Sequence, residues 1–159
     1  MKKILIAVDY DPSAQKIVET GYALAKSMNA RVILLHVTSD AASYSSLNYP
    51  SIMGFDNFSN LDMFQPEIVV ELKKAAQEYL NKSKQHLGDE TIETVVKDGD
   101  IGDSILDAAT EMNVDVIVLG THSRRGLDKI LMGSVEEKVL HHSSIPLFII
   151  PVKNPEEKK

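Results

Sequence analysis

Lys3-Ile4-Leu5-Ile6-Ala7-Val8-Asp9, with Asp11-Pro12 just beyond it, opens the chain. Five apolar residues in a row, without polar alternation, predict a strand covered on both faces, which is how the strands of a parallel sheet read. Four further apolar runs follow, at residues 31–37, 91–97, 115–119 and 146–151. Helix-length segments separate most of them. Asp11-Pro12 predicts a helix start, with Pro at the first helical position, where its missing N–H costs nothing. Ala14, Ile17, Gly21, Leu24 and Met28 then recur at steps of three and four and make one apolar face.

The pattern repeats between Pro66 and Leu87 through Val69, Leu72, Ala76 and Leu80, and Gly88 supplies a helix stop. Residues 103–113, with Ile105, Ala109 and Met112, predict a third helix. Ser134 and Glu137 have the spacing of a capping box and open a fourth, which carries Val135 and Val139. The order β-α-β-(long loop)-α-β-α-β-α-β predicts a single α/β domain with helices on both faces of an open parallel sheet. Residues 38–65 are long for a strand-to-helix connection. They hold no Lys or Arg but five of the nine aromatics, Tyr44, Tyr49, Phe55, Phe58 and Phe64, so a mobile insertion competes with a lid or partner-facing cap. Residues 153–159 predict a charged, frayed tail.

Composition narrows the chemistry. With 159 residues the length suits one domain, and without Cys there is no disulfide, thiolate metal site or thiol nucleophile. The apolar runs are far short of the ~20 residues of a membrane span. Met1-Lys2-Lys3 leads directly into the first run, without the longer apolar segment of a signal peptide, so a cytoplasmic location is expected. A net charge of −6 opposes non-specific attachment to nucleic acid or anionic lipid, and neither is expected as a partner. Any anionic ligand must find a local positive site. Only three Arg occur, and two of them, Arg124 and Arg125, stand together.

That pair falls where an open parallel sheet binds its ligands, beyond the carboxyl ends of strands at which the strand order reverses. Right-handed crossovers place strand four beside strand one once strands one to three spread to one side. The two ends read Ala7-Val8-Asp9 and Gly120-Thr121-His122-Ser123-Arg124-Arg125-Gly126, the latter running on to Gly133-Ser134 at a helix start. Glycines permit close backbone approach, hydroxyls and His donate, and the helix N-terminus offers free N–H groups and a favourable dipole. The combination suggests phosphate binding. Asp9 is a candidate acceptor for ribose hydroxyls or a base amino group, and Val8 and Val37 are candidate walls for a flat base. No second carboxylate is expected near the phosphates. G-x-G-x-x-G, the G-x-x-x-x-G-K-[ST] loop and G-x-S-x-G are all absent. His141 and His142 are adjacent on a helix and cannot face one metal, and His36 and His86 read as structural.

Gly120-x-x-Ser123-x(9)-Gly133-Ser134, after one strand and before the last helix, resembles the G-x-x-G-x(9)-G-[ST] loop of the universal stress protein family. Lys3 to Asp9, Leu34-Leu35-His36-Val37 and Ser144-Ile145-Pro146-Leu147 resemble that family's first strand, second strand and entry to the fifth. The resemblance implies a domain over residues 1–152 with the variable segment 38–65 inside it. Its fold would be Rossmann-like, of the adenine nucleotide alpha hydrolase-like kind, with five parallel strands in the order 3-2-1-4-5. It further implies a cytoplasmic homodimer paired through the fifth strand, here Leu147, Phe148, Ile149, Ile150 and Val152, with Pro146 and Pro151 bracketing the edge.

Carried over by position, Ala7, Val8, Asp9 and Val37 would surround adenine and ribose. Gly120, His122, Ser123, Arg124, Gly133, Ser134 and Val135 would line the phosphates of ATP or AMP, with a divalent ion such as Mg bridging phosphate oxygens. Ser123 departs from the motif glycine: it costs about 1 kcal/mol if that position needs φ > 0, and adds a donor if it does not. The leading expectation is a stress-response protein whose bound nucleotide acts as a switch. The alternatives are a slow ATPase or phosphotransferase using His122 and the arginines, and a nucleotide-free interaction module.

Overall fold

Ile4, Leu5 and Ile6 are all fully buried, although successive strand residues point to opposite faces. Both faces of that strand are therefore covered. The computed structural model describes residues 1–10, 12–38, 66–121 and 134–152, the side chains of residues 66, 67 and 134 excepted. The strands are β1 (Lys3–Ala7), β2 (Arg31–Thr38), β3 (Glu93–Asp98), β4 (Val116–Gly120) and β5 (Leu147–Ile150). The helices, numbered in chain order, are α1 (Ala14–Ser27), α2 (Pro66–Leu87), α3 (Ile101–Glu111) and α4 (Ser134–His142). All strand pairs are parallel, and the order is β3-β2-β1-β4-β5, as the resemblance implied.

Residue parity divides the core in two. Ile4, Ile6, Val32, Leu34 and Val118 pack with Ile17, Val18 and Ala25 of α1 and Leu80 of α2. Leu5, Ile33, Leu35, Ile117 and Leu119 pack with Ile105, Ala108 and Ala109 of α3 and Val139 of α4. Each layer removes several aliphatic side chains from water, at roughly 1.5–3 kcal/mol apiece, which is what holds the helices down on either side.

Two helix starts differ from their expected positions. α1 begins at Ala14, not at Pro12: Ser13 is the N-cap residue, and its carbonyl accepts from the N–H groups of Lys16 (3.1 Å) and Ile17 (3.3 Å). Pro12 sits in the preceding turn, and Asp11 lies outside the described residues. α3 begins two residues before the expected 103, because the Asp100 side chain accepts from the N–H of Asp103 at 2.9 Å and caps the helix there. α1 and α3 both run out just before an Asn with positive φ, Asn29 (56°) and Asn113 (55°), a conformation Asn tolerates better than most residues. Gly88, at φ 69°, ends α2 where a stop was expected. Among the described residues no helix is long and apolar enough to cross a membrane.

The segments 39–65 and 153–159 lie outside the described residues; Thr38 itself closes β2 and is buried.

Candidate functional site

The connection leaving β1 leads through α1 to β2, and the one leaving β4 leads through α4 to β5 on the opposite side. The carboxyl ends of β1 and β4 therefore diverge from each other's connections and leave a crevice. An open pocket of about 100 Å³ occupies it. On the β1–β2 side it is lined by Ala7, Val8 and Asp9 with Leu35 and Val37; on the β4 side by Leu119, Gly120, Val135 and Glu136. Ile17 of α1 lines it from one face of the sheet, and Ile101 and Ile105 of α3 from the other.

Gly120 is required by packing. A Cβ built there would stand 2.0 Å from Ile17 Cδ1 and 2.7 Å from its Cγ1, so any side chain at 120 would force the buried Ile17 out of its place against the β4 exit. Just past it, the Thr121 N–H donates to the Ile150 carbonyl (3.0 Å) and the Val152 N–H donates to Thr121 Oγ1 (3.1 Å), which ties the β4 exit to the β5 exit.

Glu136 was missed. It is only 2% exposed, yet it lines the same pocket, so the expectation that no second carboxylate stands on that side is overturned. It lies in the first turn of α4, where the helix dipole favours a negative charge. The sequence carries a signal for it: Glu136 and Val139, one of the apolar residues of that helix, are three residues apart and share a helix face.

The β1 side is built differently. Val8 continues past the last β1–β2 pair, Ala7 with Leu35, and its N–H donates to the Leu35 carbonyl at 2.8 Å. His36 Nδ1–H donates to the Val8 carbonyl at 2.7 Å, and the Tyr79 hydroxyl of α2 donates to the Asp9 carbonyl at 2.5 Å. Burial pushes the His36 imidazole below its usual pKa, against the opposing pull of the Val8 carbonyl and the Asp9 charge. His36 is thus a structural histidine, as expected. His86 is as well, pairing with Glu19 of α1 at 2.8 Å.

The universal stress protein family's sequence profile matches residues 1–151. The chain belongs to this family. It is 30% identical to universal stress protein YxiE of Bacillus subtilis over 150 residues, covering 93% of this chain and 97% of the relative. It is also 30% identical to universal stress protein A of Escherichia coli K12 over 156 residues, covering 98% of each. Among solved structures it is similar to protein MJ0577 of Methanocaldococcus jannaschii, with a TM-score of 0.69, 28% identity and coverage of 96% and 97%. A universal stress protein solved in complex with cAMP shares the fold, at a TM-score of 0.58 and 19% identity over 94% of this chain and 95% of that one.

Set on this universal stress protein fold, the expected site residues divide in two. Ala7, Val8, Asp9, Val37, Gly120 and Val135 come together in the pocket. His122, Ser123, Arg124 and Gly133 lie outside the described residues, as does the side chain of Ser134, whose backbone opens α4. On β5, Phe148 is 37% exposed, whereas Ile150 is buried in the core and offers only its backbone to a partner.

Proposed function

We propose that this universal stress protein binds an adenine nucleotide, ATP or AMP, at the carboxyl ends of β1 and β4, and that occupancy rather than rapid turnover is its output in a stress response. One observation carries the reading: a single pocket joins an aliphatic slot, Val8, Leu35 and Val37, to Gly120 and the first turn of a helix. A flat base suits the slot, and a phosphate suits free helical N–H groups. Asp9 stands between them as an acceptor for ribose hydroxyls or the base amino group. The cAMP complex of the distant relative supports the same ligand class. A divalent ion such as Mg would be held mainly by the phosphate oxygens, since among the described residues no three His, Asp or Glu side chains group to hold a metal by themselves; Glu136 supplies a hard carboxylate on the helix side of the pocket, and the ion would offset its charge.

The protein then acts as a cytoplasmic homodimer joined along the β5 edge, with Phe148 facing the second copy. Its acidity, −6 overall, disfavours nucleic acid and anionic membranes as partners. Saturating nucleotide, at 100 times its Kd, is expected to stabilise the fold by about 2.7 kcal/mol. Differential scanning fluorimetry with millimolar Mg-ATP and AMP measures this. No shift with either, together with no nucleotide released from denatured protein, would sink the reading.

Glu136 favours one second reading, slow hydrolysis, in which its carboxylate takes a proton from water as the oxygen attacks the terminal phosphorus and the diphosphate leaves. Phosphate release over hours that disappears in Glu136→Gln supports it. Equal release from both proteins removes it.

A further inference from the structure

The exit of β1 is held by side chains where the sheet no longer holds it. The ladder to β2 stops at Ala7, and the next two carbonyls, of Val8 and Asp9, are taken by His36 from β2 (2.7 Å) and Tyr79 from α2 (2.5 Å). A carbonyl only accepts, so Nδ1 of His36 carries the proton. Tyr10 packs on both rings, 4.4 Å from His36 and 4.8 Å from Tyr79 between centroids, while the His36 and Tyr79 rings lie 6.1 Å apart. His36 is 4% exposed, and Tyr10 covers the group from outside at 52%.

Water alone would satisfy two carbonyls at a strand exit. A buried imidazole and a phenol from two elements instead fix the orientation of both peptide planes. Neither His36 nor Tyr79 is among the described residues lining the pocket, but Val8 and Asp9, whose carbonyls they hold, are. We propose that His36 and Tyr79 are positioning residues of the nucleotide site, which fix the Val8–Asp9 peptides so that the Asp9 carboxylate is already aimed at the base and ribose end of the ligand. This rests on the nucleotide reading and deepens it. The benefit is preorganisation: an acceptor that need not be ordered at the moment of binding contributes its full interaction.

The test is AMP titration by calorimetry into the full chain and five variants, the single variants Tyr79→Phe, His36→Leu, His36→Asn and Asp9→Asn and the double variant Asp9→Asn/Tyr79→Phe. Tyr79→Phe removes one hydroxyl and keeps the ring. His36→Leu removes the other donor, while His36→Asn keeps one, because its amide nitrogen sits where Nδ1 does. Tyr79→Phe and His36→Leu are expected to weaken AMP binding about tenfold each, or 1.4 kcal/mol, and His36→Asn to stay within about twofold of the parent. In an Asp9→Asn background, Tyr79→Phe is expected to cost little more, because the two act through one contact.

Parent-like AMP affinity in both Tyr79→Phe and His36→Leu overturns the clamp and leaves the nucleotide site standing. So does full additivity of Tyr79→Phe with Asp9→Asn, which marks a general loss of structure. A parent protein that binds no adenine nucleotide overturns both readings together.

Discussion

The two strand exits that border the pocket solve one problem by opposite means. At β1 the backbone is oriented by added side chains, with His36 and Tyr79 each donating to a carbonyl. At β4 the approach depends on a missing side chain, because α1 packs its Ile17 where a Cβ of residue 120 would be. Adding contacts tolerates small change, since a lost hydrogen bond costs about 1 kcal/mol. Steric absence tolerates less, because an overfilled site forces packed side chains such as Ile17 off their rotamers or shifts backbone.

That asymmetry predicts the largest effect at Gly120. Gly120→Ala is expected to destabilise the fold by about 3 kcal/mol through overpacking against Ile17. Pairing it with Ile17→Ala, which vacates the space, should recover part of the loss. Urea denaturation of the single and double variants measures both. A Gly120→Ala protein as stable as its parent would show that α1 shifts freely, and the contrast between the two exits would vanish.

Next in size is the charge on the β4 side. Glu136→Gln keeps the shape and removes a negative charge from a buried position facing the pocket. Like charges at short range repel by about 4 kcal/mol near a protein surface and about 1 kcal/mol in water, so a gain of about tenfold in affinity for nucleotide without divalent ion is expected. With excess Mg the gain should shrink, because the ion already offsets the charge. Titrations with and without EDTA separate the two conditions. An identical ratio in both would mean Glu136 faces no phosphate.

A smaller effect is expected at the α3 cap, whose Asp100 immediately precedes Ile101 of the pocket lining. The Asp100 carboxylate accepts from the Asp103 N–H, and Lys138 of α4 pairs with Asp100 at 2.9 Å and with Asp103 at 3.1 Å. These bonds hold the Asp100 carboxyl below its ordinary pKa. The ion pairs are largely exposed and contribute little. Asp100→Ala is expected to cost about 1 kcal/mol, nearly all of it from the lost cap. Lys138→Met should cost less; a larger loss there, read by thermal denaturation, would put the joint between α3 and α4 ahead of the cap.

The contrast between the exits also explains what could be read in advance. The strand order in the sheet came from the family resemblance, whereas the succession of strands and helices followed from local signals, unbroken apolar runs such as Ile4 to Val8 and helix faces such as Ala14, Ile17 and Gly21. The glycine at 120 was visible for the same reason, since it ends a strand and opens a motif. The helix starts slipped by two residues because each is decided by one residue beside a more conspicuous neighbour, the backbone carbonyl of Ser13 after Pro12 and the capping side chain of Asp100 before Asp103. The β1 clamp was out of reach. His36 is 28 residues from Val8 and Tyr79 is 70 from Asp9, and no local pattern connects donors to carbonyls across such distances.

His36 supplies the last test, with the smallest effect at neutral pH. Its pKa is lowered in the fold, chiefly by burial, from an ordinary 6.5, so the unfolded chain takes up a proton first as pH falls. The stability contributed by the neutral imidazole is therefore complete above about pH 6.5 and is lost progressively below it. The groups around the ring do not reverse this: Asp9 favours the charged form, but by less than burial disfavours it, and Tyr10 and Tyr79 are uncharged in this range. His36→Asn keeps a donor to Val8 and cannot titrate. Its midpoint in urea should match the parent's at pH 7.5 to within a small margin and fall less than the parent's between pH 6.5 and 5. Parallel curves for the two proteins would mean that His36 accepts its proton inside the fold as easily as in water, and that the β1 exit is looser than its hydrogen bonds imply.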